Sequence, residues 1–158
     1  MQIRKATNTD IPGIQQVAEH GWHAAYTGIL RTETIENVLG EFYSEESLVH
    51  SLEHHATVFL VALADEQIVG FIQALPRPGS TDYELTRLYV LPAYQRQGIG
   101  RDLLQAVLQQ LGDQKVWVLV ERDNHAAIAF FQAMHFKSNR AVELPVFGEN
   151  LPFVEMRK

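Results

Sequence analysis

Residues 84–100 have the sequence ELTRLYVLPAYQRQGIG, in which an apolar run is followed by a proline and then by two closely spaced glycines. The run up to Leu91 is typical of a β-strand, and Pro92 ends it because proline cannot donate a hydrogen bond to a neighbouring strand. Gly98 and Gly100 let the backbone come close to a ligand, and the helix that follows offers unpaired N–H groups at its positive end. The pattern indicates an anion site, although a purely structural glycine turn would have the same residues.

Two common phosphate-binding motifs do not fit this turn. The chain has no Gly-x-x-x-x-Gly-Lys-Ser/Thr stretch, which excludes a P-loop. Leu103 stands where a dinucleotide fingerprint needs its third glycine, and the preceding strand comes too late in the chain for a first βα unit. Arg96 and Arg101 flank the turn, and guanidinium groups suit charge-assisted contacts to phosphate. From the residues alone we predict a phosphate-binding turn that is neither a P-loop nor a dinucleotide fingerprint.

Outward from this turn, apolar periodicity predicts helices and strands along the whole chain. Thr9 and Asp10 are predicted to cap a first helix with Pro12 in its first turn, and Asn124 is predicted to cap the last helix. The predicted strands are 2–5, 57–64, 67–75, 83–91, 115–121, 137–144 and 152–157, and two shorter helices are predicted at 32–39 and 44–54. A further helix begins near Gly98. No linker or repeat divides these elements, so we predict one α/β domain, residues 1–158, with helices on both faces of the sheet.

Composition and charge exclude several functional classes. The 158 residues include 19 acidic and 13 basic side chains, and the formal net charge of −6 disfavours nucleic acid as a partner. No apolar run approaches the roughly 20 residues of a membrane-spanning helix. The amino terminus lacks a signal-type apolar stretch, so we expect a cytoplasmic protein with no membrane partner. Cysteine is absent, and His50 and His54 have no third ligand at a recognisable spacing, so no metal site is predicted.

One segment of the chain is strongly acidic. Between Arg31 and His55 the only basic residue is Arg31 itself, and the glutamates are Glu33, Glu36, Glu41, Glu45, Glu46 and Glu53. A solvated helical face is the common explanation of such a run, and attraction of a cation is the functional one. On this basis we predict that the partner of the protein is cationic.

The sequence resembles a known family at this turn and beyond it. Residues 84–100 are similar to motif A of the GNAT acetyltransferases, a strand and a proline followed by Gln/Arg-x-x-Gly-x-Gly/Ala before a helix. Residues 124–136, NHAAIAFFQAMHF, resemble the family's later pattern of Asn, helix and closing Gly-Phe. The opening IRKATNTDIPGI and residues 22–30, WHAAYTGIL, also look like bacterial members. The resemblance therefore covers nearly the whole chain, and it implies a mixed, mostly antiparallel central sheet.

The resemblance also implies acetyl-CoA as the cosubstrate and names the residues that would bind it. The backbone of Leu88, Tyr89 and Val90 would pair with the pantetheine arm. Asn124 would contact the pantetheine or the thioester, and Phe131 would line the same site. The pyrophosphate would lie on Gln95, Arg96, Gln97, Gly98, Ile99, Gly100 and Arg101.

Two positions depart from the family pattern. Phe131 stands where the family often has a tyrosine that is thought to protonate the departing thiolate, which leaves the general acid open. Tyr26, Tyr83, Tyr89 and Tyr94 each have a hydroxyl, but the sequence does not rank them. His135 replaces the usual glycine before the closing phenylalanine, and we expect a different helix ending or left-handed geometry there.

Acetyl transfer to an amine requires a neutral nitrogen. An amine like that of lysine has a pKa of about 10.4, so only about 0.1% is neutral near pH 7.4 and a base or a relay water is needed. The resemblance favours Glu84 as this base, since burial would raise its pKa, while an ordinary strand-end carboxylate is the alternative. Trp22 and Tyr26 lie at helical spacing, which fits core, pocket wall or substrate contact.

These observations predict an N-acetyltransferase that moves acetyl from acetyl-CoA to a primary amine of a small molecule or peptide by direct attack on the thioester. A non-catalytic acyl-CoA-binding or regulatory module with the same fold is the alternative, because the tyrosine is missing. Modification of protein amino termini or side chains is a third possibility. The sequence leaves open both the acceptor and the formation of a homodimer.

Overall fold

The computed structural model describes all residues 1–158, and its seven strands form one sheet. The strands are β1 (Gln2–Lys5), β2 (Val58–Ala64), β3 (Gln67–Pro76), β4 (Tyr83–Val90), β5 (Val116–Glu121), β6 (Lys137–Val146) and β7 (Glu149–Arg157). The helices are α1 (Ile11–Tyr26), α2 (Thr32–Phe42), α3 (Glu45–Glu53), α4 (Ile99–Leu111) and α5 (His125–Ala133). Every predicted element is present, with ends that differ by a few residues.

The sheet is mixed and mostly antiparallel, as predicted. Its strand order is β1-β2-β3-β4-β5-β7-β6, and only β4 and β5 run parallel. The predicted hairpin joins β2 to β3 through Asp65 and Glu66, whose φ angles of 49° and 65° are left-handed. Two consecutive left-handed residues match the right-handed twist of the flanking strands.

Helices cover both faces of the sheet. Residues 69–74 of β3 are buried without interruption, because α1 and α4 both pack against this strand. The close approach of α1 to β4 requires a glycine: a Cβ atom added at Gly21 would lie 3.1 Å from Cδ1 of Tyr89. None of the five helices has both the length and the apolarity of a membrane span.

The parallel pair β4 and β5 separates soon after it forms. Only Tyr83, Glu84 and Leu85 have partners on β5, whereas β4 stays paired with β3 as far as Val90. A register shift at Gln73/Ala74 of β3 accompanies the divergence, and such bulges bend and twist strands. Beyond Leu85, the edge of β4 that faces β5 has no strand partner, and a gap opens between the two strands.

Two of the three details predicted for the helix ends are confirmed. The Asn124 side chain accepts a hydrogen bond from the amide of Ala127 at 3.2 Å and caps α5. His135 follows α5 with a left-handed φ of 69°. The predicted capping of α1 is confirmed in position only: Asp10 is the N-cap residue, but no side-chain cap bond forms. The Asp10 carboxylate is instead held by two hydrogen bonds from Arg4, at 2.8 and 2.9 Å.

Candidate active site

The glycine turn leads from β4 to α4 with an unusual backbone. Arg96 has a φ of 65° and Gly98 a φ of 87°, and Gly98 occupies the N-cap position of α4. The amide groups of residues 96–101 donate no hydrogen bond within the protein. The side chain of Gln95 donates to the carbonyl of Val90 at 3.0 Å and ties the turn to the end of β4. The turn therefore presents a row of free N–H donors at the positive end of a helix, as an anion site requires.

A large cavity of about 430 Å³ lies between α1, α2 and the strands β3, β4, β5 and β7. Its wall is mostly aromatic and aliphatic, and four polar side chains, a guanidinium and a carboxylate also face it. The apolar residues are Trp22, Tyr26, Leu30, Val38, Phe42, Tyr43, Leu75, Val146, Leu151 and Phe153, and the polar and charged ones are Ser47, Ser51, Gln73, Thr86, Arg87 and Glu121. A pocket of this size and character suits a small ligand held by a few polar groups.

A small cavity of about 90 Å³ occupies the gap between β4 and β5. Four residues that the sequence assigned to the cofactor line it: Leu88, Tyr89, Asn124 and Phe131. The remaining lining residues are Tyr26, Leu85, Thr86, Arg87, Val118, Leu119, Val120 and Ala127. Tyr26, Thr86 and Arg87 thus line both cavities and mark the boundary between them.

Aromatic side chains dominate this boundary. The ring centroid of Trp22 lies 4.5 Å from that of Tyr26 and 5.7 Å from that of Tyr89. Burial raises the pKa of Tyr26, and the nearby side chains of Tyr89 and Asn124 act to lower it. Burial raises the pKa of Tyr89 further. Both phenols are therefore neutral at physiological pH.

Arg87 contributes a positive charge to the large cavity, but protein groups occupy much of its guanidinium. It donates to the hydroxyl of Ser51 at 2.9 Å, to the side-chain oxygen of Gln73 at 2.6 Å and to the carbonyl of Phe42. Its guanidinium carbon also lies 4.8 Å from the ring centroid of Tyr43. Arg87 joins β3, β4, α2 and α3 and holds the wall of the cavity in shape.

Glu121 ends β5 and brings a carboxylate into the large cavity. Its side chain accepts a hydrogen bond from the amide of Asp123 at 2.6 Å through one oxygen, Oε2. The residue is only 3% exposed, yet it has no ion-pair partner within the protein. A buried carboxylate without a cationic partner is costly unless a ligand supplies the opposite charge.

Glu84, the predicted base, lies at the start of β4 and lines neither cavity. Its carboxylate is 3.7 Å from the guanidinium of Arg77, and its strand neighbour Leu75 does line the large cavity. Burial raises the pKa of Glu84, whereas the charge of Arg77 lowers it and that of Glu155 raises it. The raised pKa suits a base, but direct contact with a ligand in the large cavity is not apparent from this position.

The remaining predicted residues divide between the cavities and the surface. Trp22 and Tyr26 line the large cavity, so the pocket-wall interpretation of both residues fits. The six glutamates of residues 31–55 are exposed on α2 and α3 and line neither cavity, which fits a solvated face. Acidic and imidazole side chains do not form any group of three that could hold a metal ion.

Comparison with known proteins decides the family. Residues 22–136 match the Acetyltransferase (GNAT) family. The chain belongs to this family. It is 31% identical over 144 residues to the spermidine N(1)-acetyltransferase of Thermoplasma acidophilum, covering 87% of this chain and 88% of that one. It is also similar to an N-alpha-acetyltransferase of Saccharolobus solfataricus, at 24% identity over 119 residues, or 66% of this chain and 71% of the relative.

Solved structures agree with this assignment. A PaiA N-acetyltransferase from Thermoplasma acidophilum, solved in complex with coenzyme A, matches with a TM-score of 0.84 and 29% identity over 99% of this chain and 97% of that chain. The ribosomal-protein-S18-alanine N-acetyltransferase of Escherichia coli shares the fold, with a TM-score of 0.74 at 19% identity over 99% and 91% of the two chains. The protein is a GNAT N-acetyltransferase that uses acetyl-CoA.

Sequence reasoning missed two charged residues of the acetyltransferase's large cavity. Glu121 ends the otherwise apolar strand VWVLVE, and Arg87 interrupts the apolar strand YELTRLYV. An isolated charge within a buried strand is a signal that the sequence does contain. Whether such a charge faces a ligand depends on which strand lies beside it, and the strand order of the sheet decides this.

Proposed function

We propose that this N-acetyltransferase acetylates a primary amine of a cationic small molecule or peptide, which binds in the large cavity with its ammonium group towards Glu121. The observation that carries the proposal is the buried Glu121 carboxylate, which has no cationic partner in the protein. An ammonium group would supply the missing charge, and the aromatic rings of Trp22 and Tyr26 would favour it further. The exposed glutamates of α2 and α3 would attract cations at longer range.

Acetyl-CoA is proposed to lie in the gap between β4 and β5. The unpaired edge of β4 beyond Leu85 supports hydrogen bonding of Leu88, Tyr89 and Val90 to the pantetheine arm. The free amides of residues 96–101 support binding of the pyrophosphate, with Gln95 holding the turn in place. The thioester would then reach the boundary between the two cavities, beside Asn124, where the acceptor amine can attack it.

The base that removes the ammonium proton is proposed to be Glu121. This carboxylate lines the cavity at the point where the amine would lie, so it needs no relay. Glu84 as the base stays a prediction. Its raised pKa favours the role, but its position outside the cavities requires a water chain to the acceptor nitrogen.

The experiment is an amine screen with acetyl-CoA that measures both thiol release and the mass of the acetylated product. Polyamines, aminoalkyl metabolites and basic peptides should be preferred, and their kcat/KM should fall as salt rises, because the screening length is only about 8 Å at physiological ionic strength. Acetyl-CoA binding without thiol release from any amine would support the non-catalytic module instead. A neutral or anionic preferred acceptor would refute the role given to Glu121.

Two substitutions separate the candidate bases. Glu121→Gln should raise KM for cationic amines and lower kcat, whereas Glu84→Gln should lower kcat only if a water chain connects it to the acceptor. Glu19→Gln, on the exposed face of α1, is the matched control and should change neither constant. General-base removal typically costs 10²–10⁴-fold in rate, so the two outcomes are easily resolved.

A further inference from the structure

Tyr26 is the one phenol that lines both cavities, whereas Tyr89 lines only the small cavity and Tyr43 only the large one. The other residues that line both cavities are Thr86 and Arg87. The Thr86 hydroxyl is directed at the carbonyl of Gln73, 3.5 Å away, and an aliphatic hydroxyl is a far weaker acid than a phenol. A guanidinium group such as that of Arg87 serves as a hydrogen-bond donor and not as an acid. Tyr26 is therefore the only side chain at this boundary that combines a dissociable proton with access to both cavities.

The structure holds Tyr26 firmly in this position. It is the last residue of α1, and its carbonyl accepts hydrogen bonds from the amides of Ile29 and Leu30, both at 2.9 Å. Gly28 allows this sharp turn with a left-handed φ of 88°. The Trp22 ring packs against Tyr26 on the same helix. The side chain is thus fixed before any ligand binds.

Two polar side chains share the small cavity with Tyr26. They are Tyr89 on β4 and Asn124 at the start of α5. The other groups whose charges affect Tyr26 and Tyr89 are Glu121 on β5, Arg87 on β4 and Tyr43 between α2 and α3. Phe131, which also faces the small cavity, is 5% exposed and has no hydroxyl. Helix α5 therefore brings no phenol to the small cavity.

We propose that the Tyr26 hydroxyl is the general acid of the acetyltransferase and protonates the sulfur of coenzyme A as it departs. The proposal rests on the proposed placement of acetyl-CoA and acceptor in the two cavities. The neutral amine nitrogen attacks the thioester carbonyl carbon and forms the C–N bond, and the C–S bond then breaks with its electron pair going to sulfur. The Tyr26 proton moves to that sulfur, the nitrogen loses its extra proton to the base, and the tyrosinate regains a proton from solvent.

The first measurement is single-turnover acetyl transfer by the wild type with the best cationic amine. If the wild type releases no thiol with any amine, the proposed function itself fails, and Tyr26 has no reaction to assist. If it does, Tyr26→Phe is compared at saturating acetyl-CoA and amine. We expect a fall in the chemical rate of about 100-fold, at the low end of the range for general acids because a thiolate with a pKa of about 8.5 leaves readily. Acetyl-CoA affinity should stay within about twofold of the wild-type value, since the hydroxyl acts on the departing sulfur.

A second variant separates proton donation from a structural role. Phe131→Tyr in the Tyr26→Phe background introduces a phenol at a second position in the wall of the small cavity. If a proton donor is what is missing, the chemical rate of this double variant should be at least about tenfold higher than that of Tyr26→Phe. Tyr83→Phe, at the start of β4 and outside both cavities, is the matched control and should react like the wild type. A wild-type rate in Tyr26→Phe from pH 6 to pH 9 would overturn the proposal. So would a loss that comes with weaker acetyl-CoA binding and is not restored by Phe131→Tyr.

Discussion

Replacing Gly100 by alanine should separate the stability of the fold from the affinity for acetyl-CoA. A Cβ atom at this position would meet Cε1 of Phe130 at 3.6 Å and Cγ2 of Val90 at 3.9 Å, which are ordinary van der Waals distances. The protein itself therefore accommodates the methyl group, and alanine favours a helix over glycine by about 1 kcal/mol. The free protein should be at least as stable as the wild type. If the pyrophosphate binds to the free amides of the turn as proposed, the added methyl group should hinder the close approach of the backbone at Gly100.

The expected loss of affinity is about tenfold, because losing one charge-assisted hydrogen bond costs about 1.5–3 kcal/mol and tenfold corresponds to about 1.4 kcal/mol. Acetyl-CoA at a hundred times the wild-type Kd stabilises the native state by about 2.7 kcal/mol, and a tenfold weaker site reduces this to about 1.4 kcal/mol. In a chain of this size the ligand-induced rise in Tm should be smaller by about 3–5 °C.

The assay is thermal unfolding of both proteins with and without acetyl-CoA, together with calorimetric titration. Gly40→Ala is the control, because a Cβ atom there meets no atom within 4 Å and the residue lies in α2, far from the turn in sequence. It should raise Tm slightly, by the usual effect of Gly→Ala at a compatible site, and leave acetyl-CoA affinity unchanged. Wild-type affinity in Gly100→Ala would refute the assignment of the pyrophosphate to this turn.

Three further predictions concern stability. Gly21→Ala should lower the free energy of unfolding by about 1–3 kcal/mol, measured in urea, because its methyl group would crowd the Tyr89 ring. Hydrogen bonds from Arg4 lower the pKa of Asp10, so this pair stabilises the native state above the unfolded pKa of about 3.9; Tm should fall as the pH drops below that value, and less steeply in Asp10→Asn. Burial raises the pKa of Glu84, which destabilises its ionised form, so Glu84→Gln should keep or raise Tm at pH 7 even if turnover falls.

Local patterns were sufficient for the secondary structure and for the glycine turn. Gly98 begins α4 with a left-handed backbone that glycine permits, and Asn124 caps α5 as its residue type favours. His135 ends the same helix in left-handed geometry, which follows from its place in the motif. At Asp10 only the side-chain bond of the predicted cap is missing, because the carboxylate is bonded to Arg4 on β1 and to the amide of Thr7. A carboxylate forms stronger hydrogen bonds with a guanidinium than with a backbone amide, and no local pattern shows which one is near.

The sequence by itself determined the family, the order of elements and the glycine turn proposed to bind the cofactor's phosphates, because each depends on residues that are close together along the chain. Only the tertiary structure decided the composition of the large cavity. Tyr26, Arg87 and Glu121 lie on three different elements, and they meet because β4 and β5 pair for three residues and then separate. Whether a buried charge or hydroxyl faces a ligand depends on that separation, which arises from strand register and the packing of α1 rather than from the identity of any one residue.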